Sequence, residues 1–325
     1  MADKQALNAT FFAFRKRERS GVLLGTTIAF VVGMVVLLGA FVGVFWASLM
    51  PAVEWYGEVI TAAAANDTAA MQNVTMPPGL FTLIGALMLW LFPFYILCAA
   101  YEAACLRWMI HGESVGFMGL SLGAPTFRVW STYWMWFLLN IAFSIVMSVL
   151  MGVMTGVFVA SGDATAMMAV LPAFYLFQYA LMGYFAVRFA PAAATSVARR
   201  KFSFFQAWTV TKGRFLALLG SFLLIFLIYI IVSILLAVVW FTVILGGVGP
   251  DLASVANDPQ RMNAVMLEAF EAYLQSLSQP QNWVVIGVLQ VIGLILMAFT
   301  YLATYGINAR AAQAALEEGK ITPAS

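Results

Sequence analysis

Six long apolar runs, at roughly residues 21–49, 79–106, 129–160, 165–189, 215–246 and 282–306, constrain this chain more than any other feature. About 20 apolar residues carry a helix across a bilayer, and every run exceeds that. Inside hydrocarbon each backbone polar group must be bonded within its own segment, so isolated runs of this kind fold as helices. Hydrophobic residues make up 63% of the chain and charged ones 9%, against about 25% charged in an ordinary soluble domain. A water-soluble fold of this size has too little interior to hide so much apolar surface. The expected fold is an all-α integral membrane protein: one membrane domain over residues 1–325, with six transmembrane helices.

The third and fourth runs are separated by Ser161-Gly162-Asp163-Ala164-Thr165, turn residues and a charge that predict a tight hairpin. Runs one, three and five reach about 29 residues or more, about 43 Å of helix, so they tilt or project beyond the hydrocarbon. The first run is too long for the apolar core of a secretory leader and is expected to stay as a span.

Charge sets the orientation. With six spans, the N-terminus, the 107–128 and 188–214 loops and the C-terminus share a side that holds every basic residue except Arg261, 15 of 16. The opposite side carries Glu54, Glu58, Asp67, Asp163, Asp251, Asp258, Glu268 and Glu271. Positive charge marks the cytoplasmic side, so both termini are expected in the cytoplasm. In the second outer loop Asp258 and Pro259 read as a helix start. Met262, Val265, Met266, Ala269, Phe270, Tyr273, Leu274 and Leu277 follow at helical spacing, predicting an amphipathic helix over about 259–277. Val53, Tyr56 and Ile60 form a shorter version in the first loop. Such helices either lie on the headgroups or cap a cavity or another subunit.

Short aromatic segments ending in basic residues precede two spans: Leu7 to Arg17 before the first, and Phe202 to Trp208 with Thr211-Lys212-Gly213-Arg214 before the fifth. They predict interfacial helices over about 7–17 and 203–212. Asn8 is the expected cap of the first and Ser203 to Gln206 the capping box of the second. Ser114 to Leu120 before the third span is a Gly-rich relative. Three units follow, each an elbow helix plus a transmembrane hairpin, although any cytoplasmic approach to a span tends to be aromatic and basic.

The stretch Arg188 to Gly220, with Pro191, a small-residue run, Ala207-Trp208, Thr211-Lys212-Gly213-Arg214 and Leu218-Leu219-Gly220, resembles the membrane domain of some glycerophosphodiester phosphodiesterases and a broad group of bacterial six-span proteins. Tyr101 to Arg107, Gly116 to Leu120 and Phe127 to Trp130 resemble the same group. The resemblance implies a bacterial inner-membrane protein. It implies no phosphodiesterase chemistry, because the paired histidines and metal-binding carboxylates of that catalytic domain have no counterpart here.

Polar side chains inside spans are costly and default to functional candidates. Glu102 stands out, either ion-paired with Arg107 or Arg188 or acting as a coupling carboxylate. Asn140 with Ser144 and Ser148, Gln178 with Tyr175 and Tyr179, and Gln290 either bond between helices or line a polar path. Gly21/Gly25, Gly39/Gly43 and Gly152/Gly156 have the spacing that permits close helix approach. Arg15, Lys16, Arg17 and Arg19 on the first elbow, and Arg199, Arg200, Lys201, Lys212 and Arg214 around the third, are candidates for anionic lipid. One histidine, His111, and two cysteines, Cys98 and Cys105, leave little for a metal site, and no cofactor is expected. A net charge of +2 is too small and too dispersed to suggest nucleic acid, so no nucleic-acid partner is expected. Membrane lipids, a second copy or another membrane protein are the expected partners. No phosphate loop or nucleophile–His–acid set is present. The function expected is non-enzymatic lipid binding or scaffolding of a membrane assembly, with a transporter for a small or lipid-like substrate as the alternative.

Overall fold

In the computed structural model, residues 8–15, 21–64, 68–162, 164–244 and 280–323 are described, together with Val265. In chain order the helices are α1 (Gly21–Ala64), α2 (Thr68–Asn73), α3 (Leu80–His111), α4 (Ala124–Ser161), α5 (Ala164–Phe189), α6 (Ala192–Ala198), α7 (Ala207–Thr211), α8 (Phe215–Ile244) and α9 (Pro280–Glu317). Six segments, in α1, α3, α4, α5 with α6, α8 and α9, are long and apolar enough to cross a membrane. The chain is all-helical among the described residues, and the six expected spans are present.

Their ends differ from the sequence reading. α1 continues through Pro51 to Ala64; proline is tolerated within membrane helices because neighbouring groups re-satisfy the freed carbonyl. The first-loop Val53, Tyr56 and Ile60 therefore extend α1 and form no separate helix. α9 runs on to Glu317 through an alanine-rich stretch, alanine being the best helix former, and Gly319 at φ 67° ends it. Gly162, in the left-handed conformation, closes α4 by donating its N–H to the Phe158 and Val159 carbonyls, which makes the expected hairpin.

The elbows are shorter than expected. The first holds a 3-10 turn, Phe12–Phe14, capped by Phe11 with no side-chain bond, while Asn8 sits at φ 42° and caps nothing. The third is a 3-10 turn, Phe204–Gln206, running into α7. No capping box forms there, because the Ser203 hydroxyl donates to the Lys201 carbonyl and accepts from Arg199. The second elbow contains no helix; it is a turn closed by a Phe117–Leu120 bridge. Lys16, Arg17, Arg19, Asp163 and, apart from Val265, the 259–277 helix lie outside the described residues.

The chain packs as two units. Unit 1 is Met1–Val31, Tyr95–Ile225 and Leu302–Ser325; unit 2 is Val32–Phe94 and Phe226–Tyr301. All the described Lys and Arg residues fall in unit 1, whereas the described acids of unit 2 are Glu54 and Glu58. In unit 2, Phe41, Leu83 and Ala86 form a small core with Phe45, Leu49, Ala52 and Trp90, and the Phe41 and Trp90 rings are 5.4 Å apart. Unit 1 is densely packed. Ala99 to Leu106 of α3, all of α6, and Ile307 to Ala309 of α9 are buried. α6 packs on α4, and α7 on α5. Elsewhere the spans present large apolar side chains outward, among them Val35, Leu89, Leu176 and Leu227, as lipid-facing helices do.

Candidate functional site

The candidate site is the polar interior and basic rim of unit 1. Glu102 projects from α3 with only 6% of its surface exposed. Its Oε2 accepts a hydrogen bond of 2.5 Å from the Tyr133 hydroxyl on α4. The expected ion pair is absent: neither Arg107 nor Arg188 lies within ion-pair distance of Glu102 among the described residues. The helical wheel explains half of this. Glu102 and Arg107 are five positions apart, off the 3–4 spacing at which helix neighbours meet. Beside the carboxyl, Tyr101 stacks on Phe30 at 4.3 Å and shares a 2.9 Å hydrogen bond with the Thr27 hydroxyl. The Tyr305 ring meets Tyr101 edge-on at 5.8 Å. Cys98 and Cys105, also nearby on α3, are both free thiols.

Arg107 has a different task. It is 5% exposed, and its Nη2 donates to the Gly119 carbonyl at 3.0 Å. Thr26 of α1 donates to the Met118 carbonyl at 2.8 Å, so the second elbow is pinned between α1 and α3. Gly119 is required there: at φ 92°, an added Cβ would stand 2.5 Å from the Thr26 hydroxyl.

Arg188, at the end of α5, is enclosed by aromatic rings. Its guanidinium carbon lies 5.2 Å from the Tyr184 centroid, 4.9 Å from Trp208 and 5.2 Å from Phe215. Nε also donates to the Tyr184 hydroxyl at 3.1 Å. The planar, weakly hydrated guanidinium suits this stacking. It joins the ends of α5, α7 and α8 at one point.

The rim divides into engaged and open cations. Arg199 donates to the Thr322 carbonyl at 3.0 Å and to Ser203 at 2.8 Å. Arg200 pairs with Glu113 at 2.5 Å, and Arg214 pairs with Glu318. Lys201 and Lys212 are exposed, and neither ammonium has a partner among the described residues. Around them Phe202, Phe205 and Trp208 are exposed, as are Phe11 and Phe14 beside Arg15 on the first elbow. Arg15 also lies over the Phe12 ring at 5.4 Å.

The second expected polar set does not converge. Asn140 donates to the Trp136 carbonyl of its own helix at 2.8 Å. Ser144, Ser148 and Gln290 lie on exposed helix surfaces, and Gln178 is half-buried. The glycine pairs also differ from expectation: an added Cβ at Gly21, Gly39, Gly43, Gly152 or Gly156 would meet nothing within 4 Å. Close approach occurs instead at Gly306, where it would stand 2.6 Å from the Ala13 nitrogen and so lodges the first elbow against α9. Thr10 extends that contact by donating to Ser221 of α8 at 3.0 Å.

The fold and this interior define a multi-pass α-helical membrane protein whose buried polar groups and described basic residues are gathered in one compact unit. Compared with known proteins, the chain matches no family model, no curated protein and no solved structure.

Proposed function

We propose that the protein is a non-enzymatic bacterial inner-membrane protein, its basic unit toward the cytoplasm, that binds anionic lipid at its third elbow. The observation that carries this is the pairing of two open ammonium groups, Lys201 and Lys212, with exposed Phe202, Phe205 and Trp208 on one short elbow. Aromatic rings of this kind settle at headgroup depth, and each cation near an anionic leaflet contributes about 1 kcal/mol. Arg199 and Arg200 serve mainly to shape the elbow, since their guanidinium groups are already engaged within the chain. The resemblance of Arg188 to Gly220 to the phosphodiesterase membrane domain implies the same membrane.

The test is native mass spectrometry of the purified chain against a Lys201→Gln/Lys212→Gln variant. Losing two charges of about 1 kcal/mol each weakens retention of phosphatidylglycerol and cardiolipin by about 30-fold. Equal retention by both proteins overturns the reading. A permease is the second reading, favoured by one observation, the buried Glu102 carboxyl with no cation within ion-pair distance among the described residues. It requires solute flux in proteoliposomes that Glu102→Gln abolishes while leaving the fold intact.

A further inference from the structure

Beyond the open lysines, the end of α9 holds a second group of charges. Arg310 pairs with Glu317, its Nη1 reaching both carboxylate oxygens at 3.1 and 3.2 Å. Arg214, at the start of α8, pairs with Glu318, and Lys320 pairs with the same carboxylate at 2.9 Å. Three cations thus surround two carboxylates, leaving an excess of positive charge. The guanidinium groups are also under-used. Arg214 Nη1 and Arg310 Nε are buried with no acceptor among the described residues. An unmet buried donor is costly, and a charged one more so.

The carboxylates that engage these arginines belong to the C-terminal end of the chain. Beyond Gly319 the chain folds back: Lys320 donates its N–H to the Ala315 carbonyl at 2.9 Å, Ile321 is buried, and Arg199 holds the Thr322 carbonyl. The Glu318 side chain is 42% exposed while Arg214 behind it is 17% exposed. The carboxylate of this pair therefore meets solvent more openly than the guanidinium it engages. A carboxylate offers two acceptor oxygens. A phosphate offers more, enough to reach the unmet N–H groups as well.

We propose that Arg214, Arg310 and Lys320 form a phosphate-binding site that Glu318 occupies from within, so that the C-terminal tail competes with a phosphate-bearing ligand at the third elbow. The site stands on its own geometry; only the expectation that the phosphate belongs to a lipid headgroup rests on the lipid-binding reading. The Glu318 pKa is lowered, first by the hydrogen bond from Lys320; burial opposes this, and the charges of Arg214, Lys320 and Arg310 add to the lowering.

The experiment titrates the full-length purified chain with phosphatidylglycerol, with zwitterionic phosphatidylcholine and with inorganic phosphate, reading binding by native mass spectrometry and by thermal shift. Wild type is compared with Glu318→Gln, with Glu317→Gln/Glu318→Gln, and with the double variant carrying Arg214→Gln. Removing the internal competitor strengthens phosphatidylglycerol binding about fivefold to tenfold, the worth of one or two partly exposed ion pairs. Phosphatidylcholine binding stays the same, and Arg214→Gln erases the gain. A gain for inorganic phosphate alone supports the site and identifies its ligand as free phosphate, which removes the lipid headgroup from this position. No gain for either anion in both glutamate variants, or a gain that survives Arg214→Gln, overturns the proposal. Wild-type phosphatidylglycerol binding that depends on Lys201 and Lys212 but ignores Glu318 leaves the lipid reading intact and sinks this one alone.

Discussion

Replacing Tyr133 by Phe isolates the hydrogen bond that Glu102 receives from α4. The change removes a single oxygen and leaves the Tyr133 ring in place, so packing is nearly constant. What it leaves is a carboxyl group, 6% exposed, whose Oε2 has lost a 2.5 Å partner. A buried acceptor deprived of its donor costs about 1–3 kcal/mol, while hydrogen bonds between membrane helices average about 0.6 and reach about 1.7 kcal/mol. The dense protein surroundings of Ala99 to Leu106 argue for the upper part of that overlap, about 1.5 kcal/mol. Glu102→Gln behaves differently, because the amide oxygen still accepts from Tyr133; its cost stays below about 1 kcal/mol. The two changes are non-additive, since Glu102 and Tyr133 share one bond. Equilibrium unfolding in mixed micelles, followed by tryptophan fluorescence, gives all three values. A loss of about 3 kcal/mol or more in Glu102→Gln, with Tyr133→Phe silent, would mean that a buried ion pair had been broken and would refute this account.

Three further outcomes follow from distances elsewhere in unit 1. Arg188→Ala lowers stability by about 2–3 kcal/mol and Arg188→Lys by roughly half as much, because an ammonium cannot lie flat against Tyr184, Trp208 and Phe215 together; equal melting of the arginine and lysine forms would count against the cage. Gly306→Ala costs about 1–2 kcal/mol by driving its Cβ into Ala13, whereas Gly152→Ala, with nothing nearby, gains up to about 1 kcal/mol of helix propensity. Thermal melts of the pair separate close packing from mere glycine content. Glu318 has a depressed pKa in the folded chain, so its contribution is complete above its unfolded value of about 4.3 and fades as pH falls through the lower folded value. Carboxypeptidase trimming of the tail is therefore slow at neutral pH and faster in a short exposure at strongly acidic pH, with Glu318→Gln fast throughout.

How much of this was legible depended on range along the chain. Six spans could be read because each is a continuous property of 20 or more residues, and no tertiary contact is needed to recognise them. Helix ends were less accessible: the first apolar run stops near residue 49, yet α1 continues through Pro51 to Ala64. α6 was missed although Pro191 followed by Ala192-Ala193-Ala194 carries the signal, a helix-compatible proline ahead of the strongest helix formers. The alanines before Gly319 held the same message for α9. The partner of Glu102 was out of reach, because Tyr133 is 31 residues away and only the packing of α3 on α4 joins them. Likewise, counting basic residues around the third elbow could not separate Lys201 and Lys212 from Arg199, Arg200 and Arg214, whose partners Thr322, Glu113 and Glu318 lie about 90 to 120 residues away.

The alanines that line unit 1 make its tolerance of substitution lopsided. Ala99, Ala100, Ala103 and Ala104 of α3, Ala192 to Ala194 of α6, and Ala309, Ala311, Ala312 and Ala315 of α9 are all essentially inaccessible. Each has only a methyl group to lose, so the familiar damage of a large cavity does not arise at these positions. Every replacement except glycine adds atoms to a packed interior, and overfilling one costs about 1–3 kcal/mol per site. Alanine scanning is blind to such a surface, since it replaces these residues with themselves. A scan with valine or leucine would expose it, and would draw the outline of unit 1 as a patch of intolerance against the permissive lipid-facing stretches of the same helices.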